Sequence, residues 1–162
     1  MHLFMKRFLY VLCVAVSLTG LEACKKAADP EPVAPVVGKW ASDRVKISGL
    51  PAPYSAENGE YDAFTDFSIR TNLELLADKT FTGSDRSGGP ISDFKGTWDY
   101  VGTDLTLKLS TGADRKLTYD GSATPNRLLS QMVSLQDSIP NPTTKKIDVV
   151  RYNLQLIYSK QP

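Results

Sequence analysis

Phe94-Lys95-Gly96-Thr97-Trp98-Asp99-Tyr100-Val101-Gly102-Thr103-Asp104-Leu105-Thr106-Leu107-Lys108-Leu109 decides how this chain folds. Phe94, Trp98 and Tyr100 alternate with Lys95, Thr97 and Asp99, and Leu105, Leu107 and Leu109 with Thr106 and Lys108. Period two with one apolar and one polar face describes half-buried strands. Between the two runs, Gly102-Thr103-Asp104 has the chemistry of a tight hairpin turn. The stretch is therefore read as an antiparallel hairpin.

The same pattern extends in both directions. Upstream, Phe67, Ile69, Leu73 and Leu75 alternate with Ser68, Arg70, Asn72 and Glu74, and Gly38 to Ile47 reads as a first strand. Ala77-Asp78-Lys79 turns the chain into Thr80-Phe81-Thr82. Downstream, Gly112-Ala113-Asp114 leads into Leu117 and Tyr119, and Asp120-Gly121-Ser122 begins another turn. Residues 128–136 fit a strand through Leu129, Val133 and Leu135, or a short helix through Leu128, Leu129, Met132 and Val133; context favours the strand. After a proline-containing loop at 138–146, Tyr152, Leu154, Leu156 and Tyr158 form the last alternating run. Short consecutive strands joined by hairpins make an antiparallel meander. With about eight of them, closure into a barrel removes the exposed edges and leaves one apolar inner face. The fold class expected is all-β.

The N-terminal segment has a different character. Lys6 and Arg7 precede an apolar run, Phe8 to Leu21, that is too short for a comfortable membrane span. It ends in Leu21-Glu22-Ala23-Cys24, a stretch that resembles the lipobox of bacterial lipoproteins, although Glu22 departs from the small or apolar residue usual there. The resemblance implies a signal peptide at 1–23, lipidation of the Cys24 thiol, and a membrane anchor strong enough to be permanent once several acyl chains are present. Residues 24–35, with Pro30, Pro32 and Pro35, read as the lipidated cysteine and an extended tether, and 36–162 as the folded domain. Lys25 follows the cysteine where an Asp resembles an inner-membrane retention signal. The expected location is the cell envelope of a Gram-negative bacterium, at the outer membrane.

Composition narrows the chemistry. A cut before Cys24 would remove 23 of 162 residues and leave 139, enough for one domain with a real core. The removed piece takes two of the 19 basic and one of the 18 acidic side chains, leaving 17 of each. No basic stretch suits nucleic acid. His2, Cys13 and Cys24 are the only histidine and cysteines, so residues 36–162 contain none. Disulfides within the domain, zinc sites built from Cys and His, and Ser-His or Cys-His nucleophiles are all excluded. No cofactor is expected, and no enzymatic activity.

Gly38-Lys39-Trp40 opens the first strand as the Gly-x-Trp motif does in lipocalins, and Gly96-Thr97-Trp98 repeats it. Leu75-Leu76-Ala77-Asp78-Lys79-Thr80-Phe81, followed by the second copy, is similar to lipocalin-like domains of bacterial lipoproteins. The resemblance implies a lipocalin-like barrel over residues 36 to about 160. Within it Gly38 and Trp40 are expected to plug the closed end. Phe67, Ile69, Leu73, Phe94, Trp98, Tyr100, Leu107, Tyr119, Tyr152 and Leu154 are the candidate lining of a cavity. Leu117 and Leu156 share their inward phase.

The segment 48–66 corresponds to the long first loop that folds over the mouth of lipocalins as a lid. Its acids, Glu57, Glu60, Asp62 and Asp66, would suit calcium or simply solvent, but Ala63 stands where an EF-hand needs Gly. Asp85-Arg86-Ser87-Gly88-Gly89-Pro90 reads as a flexible connection, since no helix follows it to make a phosphate loop. The function expected is a monomeric, lipid-anchored lipocalin-like protein binding a small apolar or amphipathic ligand. The alternative is an envelope protein-interaction or structural module with a filled barrel.

Overall fold

The computed structural model describes residues 32–162. The expected signal segment, the lipobox-like stretch Leu21–Cys24, the expected lipidation site and most of the expected tether lie outside the described residues. Ten strands, a single turn of 3-10 helix (Ser55–Glu57) and one short α-helix follow in order: β1 (Gly38–Ser48), β2 (Gly59–Asp62), α1 (Ala63–Phe67), β3 (Ile69–Leu75), β4 (Thr80–Ser87), β5 (Ser92–Val101), β6 (Asp104–Leu109), β7 (Arg115–Asp120), β8 (Arg127–Ser130), β9 (Val133–Pro140) and β10 (Ile147–Lys160).

Eight strands close on themselves. The order runs β1-β3-β4-β5-β6-β7-β8-β10, all pairs antiparallel, and β10 pairs back onto β1 from Trp40↔Lys160 to Ser48↔Asn153. The all-β barrel of about eight strands read from the sequence is the observed architecture. β2 and β9 stand outside the ring. β1 pairs with β3 through Gly38–Ala41 and then with β2 through Arg44–Ile47. β10 pairs with β9 through Ile147–Leu154 and with β8 through Ile157–Ser159. The far halves of β1 and β10 thus rise past one rim as a four-stranded extension, β2-β1-β10-β9.

The core runs along the barrel axis and is closed at one end. Trp40, Leu73, Leu75, Phe81, Trp98, Leu105, Leu107, Leu117, Leu128 and Tyr158 are buried in one cluster together with Val36. Trp40 Nε1–H donates to the Val36 carbonyl at 2.8 Å, which satisfies the one polar group of a fully buried indole. Tyr119 meets the Trp40 ring edge-on at 6.3 Å, and Tyr100 meets Tyr119 at 6.1 Å. A smaller cluster, Leu50, Tyr54 and Val150 with Ile47, Ile139 and Tyr152, clothes the extension.

Two glycines let the wall bend. Phe81 lies opposite Gly96 and Gly83 opposite Phe94, so each ring of the β4–β5 pair faces a position without a side chain. A Cβ at Gly83 would overlap the Phe94 ring, and one at Gly96 would overlap the Lys108 carbonyl oxygen. The two rings meet at 6.1 Å.

Several local expectations are corrected. Phe67 belongs to α1 rather than to the strand beginning at Ile69, because Asp62 caps a helical turn there, accepting from the Phe64 and Thr65 amides. Residues 128–136 are two strands broken at Gln131–Met132, where the chain leaves the barrel for the extension. The loop expected from 138 begins only after Pro140, and Asp85–Ser87 continue β4 rather than forming a loop. In the last two cases pairing with the neighbouring strand, β10 for Ser138–Pro140 and β3 for Asp85–Ser87, extended an element that local turn residues argued against.

Candidate functional site: an outer-wall trough and the polar barrel rim

Two places combine space with chemistry, and the strand register determines both. In the ladder Trp40–Leu73–Gly83–Phe94, the side chains present point into the barrel. The ladders on either side point outward: Lys39–Glu74–Thr82–Lys95 and Ala41–Asn72–Ser84–Asp93. Between these outward rows, across four strands, lies a trough of about 930 Å³. Its rims carry Lys39, Glu74, Thr82 and Lys95 on one side and Asn72, Ser84 and Asp93 on the other, and Trp40, Leu73, Gly83 and Phe94 contribute its floor. Ser110 and Thr111 stand at one end and Gln161 at the other. The Ser110 amide donates to the Lys95 carbonyl (2.9 Å) and the Gln161 amide to that of Lys39 (2.8 Å), which holds both ends in place. The lining charges balance, two lysines against Glu74 and Asp93.

A second cavity of about 370 Å³ adjoins it and shares Asn72 and Gln161. Ala41, Ser42, Asp43, Asp62, Phe64 and Arg70 complete its lining. The β1 register slips between Ser42 and Arg44, so Asp43 is a bulge residue. Ser159 Oγ–H donates to Asp43 Oδ2 at 2.7 Å, while Asp43 Oδ1 is buried with no hydrogen-bond partner among the described residues.

The opposite face of the same wall forms the open rim of the barrel. Arg115 donates through Nη2 to Asp85 Oδ2 at 2.6 Å, and its guanidinium lies 4.2 Å from the Phe94 ring centre. Both side chains keep about a third of their surface exposed, 37% for Arg115 and 30% for Asp85, so solvent screens this pair. Asp85 Oδ1 is also buried without a partner among the described residues. Burial, reinforced by the Asp85 charge, pushes the Tyr158 phenol up to about 12. Thr71, within reach of that phenol, donates its own amide to Ser42 Oγ at 2.7 Å.

The candidate lining residues are distributed over these places. Leu73 and Phe94 lie at the trough. Trp98 and Leu107 are buried in the core, and Tyr100 and Tyr119 pack against it. Ile69 begins β3 at the rim, and Phe67 packs edge-on to Tyr61 at 6.2 Å. Tyr152 and Leu154 belong to the extension, where Tyr152 Oη–H donates to Asp137 at 2.6 Å; that bond, more than burial, pushes its phenol up to about 12. Gly38 and Trp40 stand at the closed end, with Lys160 Nζ 5.5 Å from the Trp40 ring centre.

The loop at 49–58 packs on the extension. Tyr54 Oη–H donates to Asp148 at 2.8 Å, and the Leu50 amide donates to Asn58 Oδ1 at 2.9 Å. Acids of the 48–66 segment are already engaged: Asp62 caps α1, Asp66 accepts from the Asp62 amide at 2.9 Å, and Glu60 pairs with Arg127 at 3.5 Å. Among the described residues no group of three His, Cys, Asp or Glu is arranged to hold a metal ion. Sequence reasoning missed Arg115, Asp85 and Asp43. Their only signal was a charge in the inward phase of a strand for the first two, and nothing local announced the bulge.

Comparison with known proteins adds one match: residues 36–129 fit the family model described as a lipocalin-like domain, more than half of the chain. Neither the curated proteins nor the solved structures compared with the chain produced a match.

Proposed function

The chain belongs to the lipocalin-like domain family, and from that premise we propose that it is a lipid-anchored, monomeric binding protein of the cell envelope that holds a small amphipathic molecule. The fold is of the small-ligand-binding or carrier type. The observation that carries the reading is the 930 Å³ trough, within the range of roughly 300–1,000 Å³ usual for small-molecule sites, with a lining that is more apolar than polar between rims of polar residues. Its place on the outer wall, with the core side chains filling the axis, makes the wall rather than the lumen the proposed seat of the ligand. A domain without histidine or cysteine holds a ligand more readily than it transforms one.

Anchoring rests on Leu21-Glu22-Ala23-Cys24, and the outer membrane on Lys25. Cys24→Ser is expected to release the protein from the membrane or leave it uncleaved; unchanged membrane fractionation would defeat the anchor. For the ligand, native mass spectrometry of protein taken from its own membrane should show a co-purified small molecule. Thr82→Trp, which places a bulky ring on the trough's rim, should remove it. A chain that carries no molecule, or carries it equally with Trp at position 82, would sink the trough reading.

A second reading has its own support. β9 pairs with β10 along one side only, so Val133–Pro140 presents an open sheet edge suited to strand addition by a protein partner. Ser134→Lys with Ser138→Lys should then abolish a protein co-purified from the envelope and leave any small molecule bound.

A further inference from the structure

We infer that β9 pairs two copies of this chain edge to edge, antiparallel about a two-fold axis at Gln136. This rests on the open-edge reading and names its partner as a second copy; the monomer of the leading reading is the unit that pairs. Two observations carry it: the edge is unprotected, and the strand is complementary to itself.

The extension β2-β1-β10-β9 has two edges, and they are built differently. β2 spans only Gly59–Asp62, runs straight into α1, and its Glu60 is paired with Arg127 at 3.5 Å. Short strands and edge charges are how sheets keep other chains from adding to them. β9 has neither. It pairs with β10 from Val133↔Leu154 to Pro140↔Ile147 without a bulge, and no strand lies on its other side. From Val133 to Ile139 it holds no lysine, arginine, proline or glycine. Its one charge, Asp137, accepts from the Tyr152 hydroxyl at 2.6 Å. Val133 on this strand, and Ile147 and Val149 on the neighbouring β10, are more than half exposed.

A two-fold contact is isologous: if residue i meets residue j, then j meets i. Directly opposite residues of an antiparallel pair share a face, so the axis must pass through a residue and not between two. With Gln136 on the axis, Gln136 faces its own copy, Ser134 faces the second copy's Ser138, and Val133 faces the second copy's Ile139. Amide meets amide, hydroxyl meets hydroxyl and aliphatic meets aliphatic. Leu135 alone faces an acid, the second copy's Asp137, whose carboxylate is held by Tyr152. Moving the axis to Asp137 would set two carboxylates face to face, and moving it to Leu135 would shorten the ladder. The product is one continuous sheet with four strands from each copy.

Disulfide trapping reads this register directly. In the full chain carrying Cys13→Ser and Cys24→Ser, an introduced cysteine is the only thiol. Gln136→Cys should give a covalent dimer on mild oxidation, because opposite Cα atoms lie about 4.5–5.5 Å apart, within disulfide reach. Ser134→Cys should give none, since its copy lies four residues along the ladder, roughly 13 Å away; adding Ser138→Cys should restore the dimer. All three positions are exposed, and either disulfide variant serves if the other fails to fold. Gln136→Lys sets two ammonium groups face to face and should weaken self-association at least tenfold in sedimentation equilibrium. A Gln136→Cys chain that stays monomeric, or a Ser134→Cys chain that links as readily, overturns the pairing. If Gln136→Cys stays monomeric while Ser134→Lys with Ser138→Lys still removes a different co-purified protein, the second copy is overturned and the open edge stands. If neither effect is seen, the open-edge reading and the dimer fall together.

Discussion

Tyr158 concentrates the chemistry of the barrel interior in one phenol. It is buried in the core beside Asp85, and burial together with that charge holds its proton up to about pH 12. The unfolded chain releases the same proton near pH 10. The folded state therefore binds the proton more tightly, and the contribution is complete below pH 10. It is lost as pH rises from 10 to 12, on the order of 2–3 kcal/mol across that window. Urea unfolding followed against pH should show this alkaline decline, and Tyr158→Phe should flatten it. Tyr152, raised likewise to about 12 by its bond to Asp137 but more exposed to screening solvent, supplies the slope that remains. An unchanged profile in the Phe variant would show that the phenol does not govern the decline.

At the scale of elements, the β4–β5 pair is where local sequence and three-dimensional shape are most tightly joined. Phe81-Thr82-Gly83 and Phe94-Lys95-Gly96 run antiparallel, so each Phe faces the other strand's Gly. The inner face is thereby supplied with two rings and no β-carbon in their way. Gly96→Ala would press a methyl group into the Lys108 backbone of β6, which cannot move without breaking the ladder. The expected loss exceeds about 3 kcal/mol, above the usual cost of overpacking because the obstacle is backbone. Urea denaturation measures it, and a loss below about 1 kcal/mol would show that the wall yields. The same pair exposes what sequence reading can reach. The alternation around Trp98 was legible because one face of this hairpin is wet and the other dry. The trough on its outer side was not, since its rims are ordinary polar residues whose alignment depends on register.

For the whole molecule, closure is the decisive event. β10 pairs with β1 over eight positions and also with β8 and β9, so it joins β1 to β8 to close the ring and supports the extension. The match to the lipocalin-like family ends at residue 129, before this strand begins. A chain ending at Lys146 keeps the whole matched region but leaves β1 and β8 as open edges around an unsealed core. It is expected to be aggregated or without cooperative unfolding, as judged by circular dichroism and thermal melting. A soluble, cooperatively melting product would show that the ring holds without its final strand.

The sequence by itself determined that this domain is all-β and meandering, with Trp40 at the start of its first strand and no histidine or thiol to work with. Those properties follow from residue type and from a period of two, both local. The tertiary structure alone decided that two strands stand outside the ring, that Arg115 reaches Asp85, that Asp43 is bulged toward a cavity, and that a trough of about 930 Å³ lies on the wall. Each depends on which residue of one strand sits opposite which residue of another. That register is settled by closing the barrel around a bulky core, where a slip of one position would turn every side chain to the other face. Leu21-Glu22-Ala23-Cys24, the proposed lipobox, is read from four consecutive residues, whereas the wall trough had to be assembled from strands far apart in the chain.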